Sequence, residues 1–157
     1  MTTSLSQREG EPSAYQLARG TWPHAILSRA SLDLPMDPSA VAAARRAVEQ
    51  HLGPAGRADE SAVVKLLVSE LVTNAVRHGG APDIVLRLAV AAECIRVEVT
   101  DGGPGFQRAA TPMPHSSGSG GWGLFMVNIE ASRWGVATEH GSCVWFEVDR
   151  PAGTQSR

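Results

Sequence analysis

Residues 70–79 read ELVTNAVRHG, and this stretch decides how the rest of the chain is interpreted. Glu70, Asn74 and His78 recur every four residues, so on a helix they lie along one face. Most other positions between 63 and 76 are apolar, which indicates a helix that is largely buried. A carboxylate, an amide and an imidazole on a buried helix need polar partners, and a metal-bound phosphate ligand would supply them.

Composition limits the classes of protein to which this chain can belong. Its 157 residues suit one domain with a real hydrophobic core. The 14 basic and 16 acidic residues give a formal charge of −2, so no basic field attracts nucleic acid. Cys94 and Cys143 form no CxxC pattern, which favours two reduced thiols. Because no signal peptide or spanning apolar run is recognised, we expect a cytoplasmic protein.

Hydrophobic periodicity divides the chain into an arm, one domain and a tail. Residues 1–25 are polar and aperiodic, which indicates a flexible N-terminal arm. Residues 26–150 carry the single predicted domain, and residues 151–157 form a C-terminal tail. Helical spacing predicts helices over residues 37–52, 59–78 and 124–132. Alternation predicts strands over residues 30–34, 84–90, 95–100, 134–138 and 143–148.

The order of these elements indicates an α+β fold. We expect a two-layer α/β sandwich in which helices cover a mixed, mostly antiparallel sheet. Two glycine-rich segments interrupt this order, DGGPG at residues 101–105 and GSGGWGL at residues 118–124. Between them, residues 106–120 form a long Pro-, Ser- and Gly-rich loop, which is typical of a lid or a binding loop.

Each of these segments suits a nucleotide. An Asp at a strand end, such as Asp101, can accept a hydrogen bond from an exocyclic amine like that of adenine. The neighbouring glycines allow the backbone to approach a ligand closely. At the start of a helix, backbone N–H groups that glycine leaves accessible form a binding site for an anion. An Asn oxygen can bind Mg²⁺, and a Glu can act as a general base. Taken singly, the helix stripe also suits a solvent-facing surface, and the DGG segment an ordinary turn.

Other phosphate-binding motifs do not fit. A loop rather than a strand precedes Gly118, Gly120 and Gly123, which argues against a dinucleotide-binding fold. No Gly-Lys-Ser/Thr run exists, so the segment is not a Walker A loop. The His-Arg-Asp and Asp-Phe-Gly signatures of classical protein kinases are also missing from the sequence.

In this order and spacing, the three segments resemble the N, G1 and G2 boxes of the GHKL ATPases, which share the Bergerat fold. The resemblance extends over residues 35–150. Within that superfamily, the stretches ELVTNAVRHG, DGGPGF and GWGLFMV are similar to the small anti-sigma-factor serine/threonine kinases and their actinobacterial relatives. The chain departs from these relatives at Ser142-Cys143, where they tend to carry Lys-Thr or Gly-Thr.

The resemblance implies a role for each matching residue. Glu70 would be the catalytic general base, Asn74 would hold Mg²⁺, and Asp101 would bind the adenine amine. Residues 106–120 would form the ATP lid. The remaining residues implied to contact the nucleotide are His78, Gly103, Gly105, Gly121, Gly123 and Leu124. The implied cofactors are ATP and Mg²⁺.

The function implied is that of an ATP-dependent serine/threonine protein kinase. It would phosphorylate an anti-sigma antagonist and regulate transcription by binding a sigma factor. One alternative is a nucleotide-binding regulatory module without kinase activity, and another is a free-standing histidine-kinase catalytic domain. The resemblance also implies a homodimer. No direct contact with nucleic acid or with a membrane is expected.

Overall fold

The computed structural model describes residues 15–53, 56–78, 83–102, 122–137 and 141–151. Its helices and strands within these ranges are α1 (Gln16–Arg19), β1 (Ser28–Pro35), α2 (Ser39–Leu52), α3 (Ala58–His78), β2 (Asp83–Val90), β3 (Cys94–Asp101), α4 (Trp122–Glu130), β4 (Arg133–Ala137) and β5 (Ser142–Asp149). No helix in these ranges is both long and apolar enough to cross a bilayer.

The five described strands form one sheet in the order β1-β2-β3-β5-β4, and every pairing is antiparallel. The predicted α+β class with a helix-covered sheet is therefore confirmed. The expected mixed, mostly antiparallel sheet becomes an antiparallel one in the described residues. β5 pairs with β3 rather than with β4 alone, so the last strand enters the interior of the sheet.

The helix boundaries follow local signals in the sequence. The Asp37 carboxylate accepts a hydrogen bond from the backbone N–H of Ser39 at 2.8 Å, which satisfies a donor at the start of α2. Gly53 ends α2 with a positive φ of 58°. α3 begins at Ala58, one residue before the start predicted at residue 59, so Asp59 is not the residue that precedes the helix. Asp59 instead lies in the first turn, where its charge complements the helix dipole.

The main core lies between the helices and one face of the sheet. α3 packs against α2, α4 and β3, so it occupies the centre of the helical layer. The side chains of the strands alternate between the two faces, and one set from each strand enters this core. The buried residues that α3 contributes are Val64, Leu67, Val68, Leu71, Val72 and Ala75.

The N-terminal segment covers part of the opposite face of the sheet. Tyr15 and Trp22 are buried there, Tyr15 against Cys143 and Trp145. The Trp22 indole N–H donates to Glu147 Oε1 at 3.0 Å. Residues 15–25 therefore do not form the flexible arm that the sequence predicted over residues 1–25. The sequence did not indicate this packing, because it depends on two aromatic side chains and not on a periodic pattern. Residues 1–14 lie outside the described part of the chain.

A buried ion network lies under this segment. Arg96 is fully buried and its guanidinium donates to Glu98 Oε1 and Glu147 Oε1, both at 2.9 Å. The guanidinium also lies 4.2 Å from the ring centroid of Trp145. Arg133 donates to the second oxygen of Glu147 at 2.8 Å. Buried charges are tolerated when they are paired and hydrogen-bonded, as most of these groups are.

Candidate functional site

The polar stripe of α3 lies along the edge of its buried face. Glu70 and Asn74 are half-buried, whereas His78 is exposed at the last residue of the helix. Their i, i+4 spacing places Glu70 and Asn74 on successive turns of one side. The apolar residues of α3 form its buried face, so the polar stripe remains accessible to solvent and to a ligand.

Asp101 ends β3 and is 8% exposed. In the register of the sheet it lies between Ile84 of β2 and Ser142 of β5. Alternation along β3 places Asp101 on the same face as Val97 and Val99, which pack beneath the helices. The structure therefore puts Asp101 on the face that carries α3, with α3 itself packed against β3.

Ser142 is a functional candidate that the sequence indicated only as a departure from the relatives. It is 2% exposed, and its hydroxyl has no hydrogen-bond partner among the described residues. Leaving a buried hydroxyl unpaired costs about 1–3 kcal/mol, so a ligand that bonds to it is favoured. Because Ser142 lies directly opposite Asp101, it supplies a hydroxyl beside the position expected to bind adenine. The strand register shows that Ser142 lies beside Asp101, and a single sequence does not show this register.

Gly141 brings two strand ends unusually close together. Its φ is +91°, and a Cβ at this position would lie 2.6 Å from the carbonyl oxygen of Asp101. Any side chain would therefore clash with the backbone and adopt a strained conformation. The Tyr15 hydroxyl donates a hydrogen bond to the carbonyl of Gly141 at 3.2 Å from the other side. Gly141 thus allows β5 to start against the residue at the end of β3.

The remaining predicted site residues belong to the two glycine-rich segments. Gly123 is the second residue of α4, and Leu124 is buried next to it in the sequence. α4 packs against α3, so its first turn belongs to the same layer as Glu70 and Asn74. Gly103, Gly105, Gly121 and the predicted lid over residues 106–120 lie outside the described residues.

The two cysteines do not take part in this site. Both are free and buried, as expected for reduced thiols. Burial raises the pKa of the Cys94 thiol to about 12 and that of the Cys143 thiol to about 11. Thiols with such pKa values stay protonated near neutral pH and make poor nucleophiles or metal ligands. Among the described residues, no group of three or more His, Cys, Asp or Glu side chains is placed to hold a metal ion.

The chain is similar to known proteins over most of its length. A family model described as "Histidine kinase-like ATPase domain" matches residues 34–148. The sensor histidine kinase LnrJ of Bacillus subtilis (strain 168) is 29% identical over an alignment of 151 positions, which covers 87% of this chain and 34% of that protein. The chain thus spans about a third of the length of this curated relative.

A solved structure also matches, the histidine kinase domain of the blue-light activated histidine kinase EL346 from Erythrobacter litoralis. The match covers 73% of this chain and 60% of that one, with 21% identity and a TM-score of 0.46. The family model alone spans well over half of the chain and includes Glu70, Asn74, Asp101 and Ser142. The chain therefore belongs to the histidine kinase-like ATPase domain family, which binds ATP.

Proposed function

We propose that this chain transfers the γ-phosphoryl group of Mg²⁺-ATP to a serine or threonine of an anti-sigma antagonist. It would regulate transcription in the cytoplasm by binding a sigma factor. The observation that carries the proposal is the position of Glu70 and Asn74 on successive turns of α3, the helix that packs against the strand ending at Asp101. The motifs that resemble anti-sigma-factor kinases support the choice of partners.

Asp101 and Ser142 fit the adenine end of the nucleotide. The Asp101 carboxylate can accept a hydrogen bond from the adenine amine, and the unpaired Ser142 hydroxyl opposite it offers a second polar contact. Adenine would then be held by polar groups that the protein itself keeps at the ends of two adjacent strands. The start of α4, which includes Gly123 and Leu124, lies in the same layer as Glu70 and Asn74. Its backbone N–H groups can bind the phosphates.

Asn74 fits the role of a Mg²⁺ ligand. A magnesium ion that is bound to phosphates keeps several waters and needs only one or two protein oxygens, which the Asn74 amide can supply. The ion, when bound, neutralises the charge on the phosphates. Asn74 is half-buried, so its side chain is both restrained and accessible.

Glu70 is the group that decides between a kinase and a passive binder. In the proposed reaction, the bond between the γ-phosphorus and the bridging oxygen of ATP breaks, and ADP leaves with the bonding electrons. A new bond forms between that phosphorus and the acceptor hydroxyl oxygen, and Glu70 takes the hydroxyl proton. The half-buried carboxylate lies one turn before Asn74, on the same side of the helix.

The similarity to LnrJ favours a second candidate, phosphoryl transfer to a histidine of another domain or protein. The two candidates differ in the bond that they form. A phosphoserine ester survives acid, whereas the phosphorus–nitrogen bond of phosphohistidine is hydrolysed by it. Acid treatment of the labelled acceptor therefore distinguishes them.

The test incubates the chain with Mg²⁺ and γ-labelled ATP, together with either of two acceptors. One is a small antagonist domain with an acceptor serine, and the other is a helical hairpin with a phosphoacceptor histidine. Glu70→Gln should lower transfer by about 100-fold while ATP affinity stays within about threefold. Asn74→Ala should weaken Mg²⁺-dependent ATP binding itself.

Glu130→Gln is the matched control, because it makes the same isosteric change at an exposed position at the end of α4. It should leave both binding and transfer unchanged. Acid-labile label on the hairpin alone would replace the serine proposal with the histidine one. ATP binding without transfer to either acceptor would leave a regulatory module, and failure to bind ATP at millimolar Mg²⁺ would overturn the whole proposal.

A further inference from the structure

A cavity of about 470 Å³ lies between the N-terminal segment and β1 and β2. It opens on the face of the sheet opposite α2, α3 and α4, since Arg29, Ser31 and Arg87 alternate with the core residues of their strands. Its volume is within the usual range for sites of small organic ligands. The candidate nucleotide site lies on the other face, so this cavity is separate from it.

Two cationic side chains, Arg29 and Arg87, line the cavity. Arg87 lies opposite Ser31 in the register of β1 and β2, and Arg29 is two residues from Ser31 on the same face. Neither arginine forms an ion pair within the described ranges of the chain. Two neighbouring guanidinium groups repel each other, and an anion between them would relieve this repulsion.

The acidic residue nearest to Arg87 in the register is already engaged. Glu98 lies opposite Arg87 in β3, but its Oε1 accepts from the guanidinium of Arg96 and from the backbone N–H of Leu17, both at 2.9 Å. The carboxylate is thus held by the buried network and does not pair with Arg87. The arginines of the cavity therefore face outward as free cationic donors, which suit a carboxylate or a phosphate.

The N-terminal segment provides an apolar wall and one polar group. Leu17 and Trp22 line the cavity, and Ile26 lines its edge with 42% of its surface exposed. The Oε1 atom of Gln16, which also lines the cavity, is buried without a hydrogen-bond partner in the described structure. An unpaired buried acceptor favours a ligand with a hydroxyl or N–H donor.

We propose that this cavity binds a small organic acid that has an apolar or aromatic body and a hydroxyl or amide donor. The acid group would pair with Arg29 and Arg87, the body would contact Leu17 and Trp22, and the donor would reach Gln16. This class of ligand is favoured by the volume of the cavity, its two arginines, its apolar wall and the unpaired oxygen of Gln16. The chain would then have a second ligand site on the back of its sheet.

The test uses 6-hydroxynaphthalene-2-carboxylate as the probe and its neutral carboxamide as a ligand of matched shape. Binding to the full chain is followed by NMR through the indole N–H of Trp22, a residue that lines the cavity. The carboxylate should shift this signal and bind about tenfold more tightly than the carboxamide, because two cations face its charge.

Arg29→Ala/Arg87→Ala should weaken the probe by about tenfold or more. Arg45→Ala/Arg46→Ala is the matched control, because it removes the same charge from exposed positions on α2. It should leave the affinity within about twofold. Equal weakening in both double variants, equal affinity for carboxylate and carboxamide, or competition of the probe with ATP would each overturn the proposal. Preserved thermal unfolding of both variants shows that any loss is not due to misfolding.

Discussion

The hydroxyl of Tyr15 donates a hydrogen bond to the carbonyl of Gly141, and the two residues are 126 positions apart in the sequence. Gly141 in turn lies against the backbone of Asp101. The N-terminal segment on the back of the sheet thus meets the loop end that shapes the candidate adenine site. Tyr15→Phe should remove this hydrogen bond at a cost of about 1 kcal/mol in the free energy of unfolding.

Tyr15→Ala should cost about 3–5 kcal/mol, because it also removes the ring that packs on Cys143 and Trp145. Denaturant unfolding measures both values, and calorimetry measures ATP affinity for each folded variant. If Tyr15 positions Gly141, Tyr15→Phe should weaken the binding of ATP by a few-fold. Unchanged affinity in Tyr15→Phe would show that the contact is only structural.

Ser142→Ala separates a ligand contact from a structural one. The Ser142 hydroxyl is buried without a partner in the described part of the chain, so its removal should leave the ligand-free protein as stable or up to about 1 kcal/mol more stable. The same change should weaken ATP by about tenfold if the hydroxyl contacts the nucleotide. Unfolding without ATP and titration with ATP provide the two readouts, and Ser142→Thr should retain binding. A loss of stability without a loss of affinity would contradict this role.

Gly141→Ala should destabilise the protein and impair ATP binding together. The Cβ would meet the Asp101 carbonyl oxygen at 2.6 Å, and the positive φ adds backbone strain, for a combined cost of about 3 kcal/mol. Gly20→Ala is the control, since Gly20 also has a positive φ but no atom lies within 4 Å of the added Cβ. It should cost about 1 kcal/mol in thermal unfolding and leave ATP affinity unchanged.

The buried network under the N-terminal segment should be sensitive to the loss of its central cation. Arg96→Met leaves Glu98 and Glu147 buried without their shared donor, which should cost about 3–5 kcal/mol. Arg57→Met breaks a surface ion pair with Asp59 and should cost less than about 1 kcal/mol. Urea unfolding measures the difference. Similar values for the two variants would contradict the assignment of Arg96 to a dry network.

Alkaline pH should destabilise the fold through its thiols. Burial raises the pKa of Cys94 to about 12 and that of Cys143 to about 11, both above the ordinary value of 9.0. A group whose pKa is raised in the folded state contributes stability below its unfolded pKa and loses it as the pH rises. The free energy of unfolding should therefore fall between about pH 9 and pH 11.

The measurement for this prediction is urea unfolding between pH 8 and pH 11. In Cys94→Ala/Cys143→Ala the slope over this range should be shallower, because the titrating groups are gone. Thiol reagents should also react slowly with the native wild-type chain at pH 8 and rapidly once it is unfolded. Fast labelling of the native chain would contradict the burial of these thiols.

Local sequence signals determined most of the secondary structure. Helical spacing located α2, α3 and α4, and alternation located β2 and β3 within one or two residues of their observed ends. These signals succeed because apolar periodicity follows directly from the geometry of each element. The i, i+4 spacing of Glu70 and Asn74 needed only the helix itself, which is why the sequence indicated this pair.

Only the tertiary structure decided which distant residues meet. The insertion of β5 next to β3 places Ser142 opposite Asp101, and strand order of this kind depends on long-range packing. The positions of Tyr15 and Trp22 also depend on long-range packing, because both are buried on the back of the sheet. Their burial makes residues 15–25, which the sequence predicted to be part of a flexible arm, part of the fold. Arg96 lies on the face of β3 that points away from the main core, and it is buried there under the N-terminal segment. The sequence alone therefore determined most of the elements and the polar stripe of α3, while long-range packing determined the neighbours of Asp101 and the cavity on the back of the sheet.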